Sequence, residues 1–187
     1  MTAPRDRLLA AAVDYVAAHG VGDLSLRRLA AALATSHRML VYHFGSRENL
    51  LIEVVREVER RQREALAELG ASDLPPSEQA RRLWHRLADP ALWPHERLFF
   101  ELYGQALQGR PHAVTLLDGI VDSWVGPLAG LITRSGEQPE AARVQARLGV
   151  AVARGLLLDL LATGDRAGVD AAMELFISWY ERRRTAG

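Results

Sequence analysis

Residues 35–51 read TSHRMLVYHFGSRENLL and gather Ser36, His37, Arg38, Tyr42, His43 and Arg47 among Leu, Val and Phe. Three kinds of chemistry use such residues: metal ligation, acid–base or nucleophilic catalysis, and recognition of an anion. On a helix His37 and His43 are separated by about 600° of rotation, so they point about 240° apart and do not converge on a metal. The chain has no cysteine, which removes thiolate ligands and thiol nucleophiles together. HExxH, GxSxG, the phosphate loop and a full GxGxxG are missing from the sequence, and the GVG at 20–22 reads as a helix stop. Glu101 lies among aromatic residues without a visible partner for acid–base work. Neither a catalytic residue, a cofactor nor a metal site is therefore expected, which leaves anion recognition.

Charge supports that choice. The net charge is zero over 187 residues, but it is unevenly spread. Residues 1–47 hold six Arg against three Asp, a net of +3, while residues 64–187 hold thirteen Arg against sixteen acids, a net of −3. A basic N-terminal segment on an acidic body implies that only the former meets a polyanion. Hydrophobic residues at 49% and charged residues at 25% describe a globular chain able to bury a core. The opening MTAPRDRLLAAAVDY is charged where a signal peptide would be apolar, and no apolar run of about 18 residues is expected to span a membrane. A cytoplasmic protein is expected.

The elements that must position these residues are helical. Leu9, Ala12, Val13 and Val16 recur at one helix face until Gly20 and Gly22 interrupt it. Ser25 is placed to cap LRRLAAAL, Ser36 to cap HRMLVYHF, and Ser46 to cap a long helix over about 46–69. The polar, proline-rich GASDLPPSE ends that helix. Further helices are expected over 77–88, 95–108, 112–134, 139–163 and 167–184, with Pro127 kinking or splitting the third. The fold class is all-α with about nine helices. Its expected domains are residues 1–50, carrying a three-helix helix-turn-helix, and residues 51–187.

Two short helices joined by a three- or four-residue turn near Leu33-Ala34-Thr35 make a helix-turn-helix. In that motif the second helix enters the DNA major groove with its N-terminal residues leading. Ser36, His37 and Arg38 lie there, where helix N–H groups also favour phosphate, and Arg can pair with guanine in bidentate fashion.

The stretch DLSLRRLAAALATSHRMLVYHFGSRENLL resembles the DNA-binding domain of the tetracycline-repressor (TetR) family of transcriptional regulators. Ser25, Leu29, Ala30, Ser36, Leu40, His43, Phe44, Ser46, Arg47, Glu48 and Leu50 agree in order and spacing, and the resemblance covers about residues 5–55. Two positions depart from it. Ala34 stands where the turn usually has Gly, and Val41 fills the usual tyrosine position, with Tyr42 one place later. The resemblance implies phosphate contacts from His43 and Arg47, and backbone contacts from Ser25, Arg27 and Arg28. Arg38 is the foremost candidate for reading a base edge, followed by His37 and Met39. Tyr42 is a candidate for a phosphate contact, and Val41 either packs or touches a thymine methyl.

The resemblance also implies a dimer on double-stranded DNA and a small-molecule effector. Ala142, Leu148, Val152, Leu156 and Leu160 form one stripe, and Ala172, Leu175, Phe176 and Trp179 another. Two such helices from each subunit would make a four-helix interface, although they would equally serve as core helices of a monomer. Two-fold operator logic selects the dimer. Trp84, His85, Phe99, Phe100, Tyr103 and Trp124 are the candidate effector pocket, with plain core as the competing assignment. The expected function is a repressor released from a palindromic operator when effector binding reorients the long helix. A helical protein-interaction module is the alternative, and an all-helical enzyme the remotest reading.

Overall fold

The computed structural model describes residues 4–22 and 24–185. Among them are nine α-helices, two short 3-10 turns and no strand. The helices are α1 (Pro4–His19), α2 (Leu26–Ala32), α3 (His37–Phe44), α4 (Arg47–Gly70), α5 (Pro76–Leu87), α6 (Trp93–Leu107), α7 (Asp122–Arg134), α8 (Pro139–Thr163) and α9 (Arg166–Thr185). The all-α expectation holds. The chain groups into two compact units, Met1–Arg61 with Ala91–Asp118, and Gln62–Pro90 with Gly119–Gly187. α4 contributes residues to both.

In the first unit α1 buries Leu9, Ala12, Val13 and Val16, the positions its spacing predicted. α3 buries Leu40 and Phe44, and α4 adds Leu50, Leu51, Val54, Val55 and Val58. Each such Leu or Phe contributes roughly 1.5–3 kcal/mol through removal from water. Arg5 donates to the Glu53 carboxylate at 3.0 Å and lies 5.3 Å from the Phe44 ring centre, tying α1 to α4 and α3. α6 packs on α1, with buried His95 hydrogen bonded through Nε2 to the Val13 carbonyl at 2.9 Å.

In the second unit α7 packs on α8, α8 on α9, and α5 on α9. α8 buries Ala142, Ala146, Val150, Leu157 and Leu160. The α5–α9 pair is fastened by polar groups: Trp84 Nε1 donates to Asp170 at 2.6 Å, and Arg81 donates twice to Glu174, at 2.7 and 2.8 Å.

Two expectations need correction here. The helix predicted over 112–134 is instead a 3-10 turn (Val114–Leu117) followed by α7, because Gly119 takes φ 69° and interrupts it. α7 then runs through Pro127 unbroken, so that residue does not split it. Within the stretch Val114–Arg134 an 18-residue window reaches a mean hydropathy of 1.2, which by length and composition would suit a membrane span. Folded, it is divided at that glycine, and the helix that follows has 13 residues, fewer than the about 20 that cross a bilayer.

Candidate nucleic-acid interface

Residues 24–50 are set by five local devices. Ser25 has extended backbone, and its Oγ accepts the Arg28 N–H at 3.2 Å, capping α2. At the other end, the Ala34 N–H donates to Ala31 O at 3.3 Å and the Thr35 N–H to Ala30 O at 2.9 Å. That pair of bonds closes α2 as a Schellman motif, and it places Ala34 in the left-handed region at φ 48°. Glycine usually holds such a position, because alanine's Cβ crowds the following carbonyl at a cost of about 1–2 kcal/mol. Ser36 then accepts the Met39 N–H at 3.1 Å, capping α3.

α3 ends on Gly45, at φ 77° and ψ −65°, with the Ser46 N–H donating to Phe44 O at 2.9 Å. That is a γ-turn of the left-handed sense, a conformation L side chains resist. Ser46 Oγ accepts the Asn49 N–H at 3.1 Å and starts α4.

These devices give α3 two faces. Leu40 and Phe44 point inward. His37, Arg38, Met39, Val41 and Tyr42 are exposed, Tyr42 by 79%. Val41 is therefore not packed, and with Tyr42 it lies one turn from Arg38 on the exposed face of α3. Arg27 and Arg28 are exposed on α2. Arg27 and Arg38 form no ion pair among the described residues.

The phosphate candidates differ from one another. Arg47 is anchored: Nε donates to Leu24 O at 2.6 Å and Nη2 to Val21 O at 3.1 Å, while Nη1 lies 4.0 Å from Glu48. The guanidinium ties the loop before α2 to the start of α4, and this offsets the unfavourable cation at a helix N-terminus. His43 is half-buried, between Tyr42 and Phe44, with its Nε2 enclosed and unpartnered among the described residues. Nε2 reaches a phosphate only if its neighbours move. Ser25 and Ser36 spend their hydroxyls as acceptors in caps, leaving the O–H protons as donors.

The effector candidates do not gather. Phe99, Phe100 and Tyr103 belong to the first unit, where Phe99 stacks on Tyr103 at 5.4 Å. His85 is exposed and Trp124 is buried in the second unit. Trp84 alone of the six lines the 760 Å³ cavity of the second unit, which Leu66, Leu131, Ile132, Met173 and Phe176 also enclose. Sequence reasoning missed these positions because apolar residues at helical spacing look the same in a core and around a void.

The helix stripes resolve similarly. Leu148, Leu175 and Trp179 are more than half exposed and Ala172 is exposed, whereas Leu160 is fully enclosed in its own chain. Val152, Leu156 and Phe176 are half-buried. Leu160 is therefore not available to a partner. The outward stripe of α8 is Val144, Leu148, Ala151, Gly155 and Leu158, one turn-face away from the expected one.

A helix-turn-helix with a basic and apolar outer face on its second helix defines a DNA-binding module. Residues 8–54 match the family described as bacterial regulatory proteins, tetR family. Solved structures share the fold: a TetR transcriptional regulator from Legionella pneumophila (17% identity, 96% of this chain and 98% of that one, TM-score 0.70) and a transcriptional regulator from Rhodococcus sp. Rha1 (20%, 95% and 95%, 0.74). Salmonella enterica GusR is a third (18%, 95% and 96%, 0.68). No curated protein sequence matches the chain. Residues 8–54 thus match the DNA-binding domain of tetR-family regulators, and the chain as a whole shares the fold of these solved structures.

Proposed function

We propose that the protein is a repressor that binds a palindromic operator as a homodimer in the cytoplasm and leaves it when a small molecule fills the cavity of the second unit. The observation that carries this reading is the outer face of α3, where Arg38 stands beside exposed Met39, Val41 and Tyr42. Solvated valine and methionine gain nothing in water, but in a major groove they meet thymine methyl groups while Arg38 reads guanine. Arg27, Arg28, Ser25, Ser36 and His37 flank that face as phosphate or base contacts. Arg47 supports it from behind by fixing the loop and has three N–H groups left for a phosphate.

Dimerisation is supported by the outward apolar stripes of α8 and α9. Val144, Leu148 and Leu158 on α8 and Leu175 and Trp179 on α9 leave large apolar side chains in solvent, which a partner helix pair would cover. α4 supplies a route from effector to operator, since its residues belong to both units. The domain reading that follows is a DNA-binding segment over 1–50, with effector binding and dimerisation carried by 51–187.

Selection of bound sequences from random duplex DNA tests the proposal. A two-fold symmetric sequence should be enriched, and its affinity should fall steeply with salt as counterions are released. Recovery of no palindrome would leave a protein-interaction module, for which the exposed Met39, Val41 and Tyr42 would be the contact surface.

A further inference from the structure

The charged side chains that line the second unit's cavity are both acidic. Glu137 and Glu181 line it, and no arginine does. Glu181 lies 3.6 Å from Arg81, but that guanidinium is already bound in bidentate fashion to Glu174, which raises its pKa further. That guanidinium stands outside the lining. Glu137 is half-buried and forms no ion pair among the described residues. A carboxylate half removed from water without a counter-ion is costly, and it disfavours an anion in the same low-dielectric space.

The rest of the lining is apolar or aromatic. Trp84, Phe176 and Tyr180 contribute rings, Phe176 and Tyr180 edge to face at 4.9 Å. Trp84 Nε1 is committed to Asp170, so it presents ring and not donor. Ring faces attract cations, and 760 Å³ is the volume of a drug-sized ligand site. We propose that this cavity takes an amphiphilic organic cation, with its apolar body among Leu66, Leu131, Met173 and Phe176 and its charge at Glu137. The proposal rests on the reading that a small molecule occupies this unit and names its class.

Tetraphenylphosphonium and tetraphenylborate test it, being nearly isosteric and opposite in charge. Calorimetric titration of the full-length protein without DNA should show the phosphonium bound at least tenfold more tightly than the borate. Glu137→Gln should weaken the phosphonium about tenfold and leave or improve the borate. A bulkier side chain in the cavity, Ala153→Phe, should abolish binding of the phosphonium in a protein with unchanged circular dichroism. Equal or tighter binding of the borate, binding of neither ion, or phosphonium affinity indifferent to both Glu137→Gln and Glu181→Gln overturns the proposal. Operator affinity is read separately. Phosphonium binding that leaves it unmoved sinks effector release and spares this assignment, whereas operator binding without phosphonium binding sinks this assignment alone.

Discussion

At the scale of single residues, the departures from the TetR pattern acquire physical content. Ala34 adopts the left-handed conformation that the turn requires. Ala34→Gly should raise stability by about 0.5–1 kcal/mol, the relief of the αL cost less glycine's extra chain entropy. Denaturant midpoints would check this, with operator affinity unchanged. Arg38→Ala should relax specificity by about 1–3 kcal/mol at one base pair, read by binding to a panel of single-base operator variants. Arg47 acts differently, because its two carbonyl partners lie in the loop before α2. Arg47→Ala should cost about 1–2 kcal/mol of stability, given its partial exposure, and weaken binding to every sequence alike. Unchanged unfolding would refute the anchoring role.

At the scale of elements, α6 holds α1 through a histidine. His95 is buried, donates from Nε2 to Val13 O, and has no acceptor near Nδ1 among the described residues. Burial lowers its pKa, and the Val13 carbonyl opposes that in part, with smaller effects from Arg61 and Asp14. The folded state therefore binds the second proton less readily than the unfolded state. Stability from this source is complete above the unfolded pKa of about 6.5 and declines as pH falls from there towards the lower folded value. Thermal melts between pH 8 and 5 should show that decline, and His95→Asn should flatten it. A slope unaltered in the variant would assign it elsewhere.

For the whole molecule, the proposed dimer would form on the exposed stripes of α8 and α9. Leu148→Arg and Trp179→Arg place charge on that patch without touching the first unit. Sedimentation should shift from dimer to monomer, and operator affinity should fall because each half-site then binds alone. A variant that remains dimeric would move the interface to another surface.

What sequence alone determined here is local. The caps at Ser25, Ser36 and Ser46, the apolar face of α1 and the order of the helices depend on neighbours within a turn or two, and all of these stand in the structure. The helix-turn-helix was legible for the same reason, since its geometry is contained in about 20 consecutive residues. Tertiary structure decided the rest. Arg47 meets carbonyls 23 and 26 residues away, and the cavity collects side chains from α4, α5, α7, α8 and α9. Which stripe of α8 faces outward was equally undetermined: an apolar residue at helical spacing is driven from water whichever surface covers it, and only the packed neighbours leave Leu148 open and Leu160 enclosed.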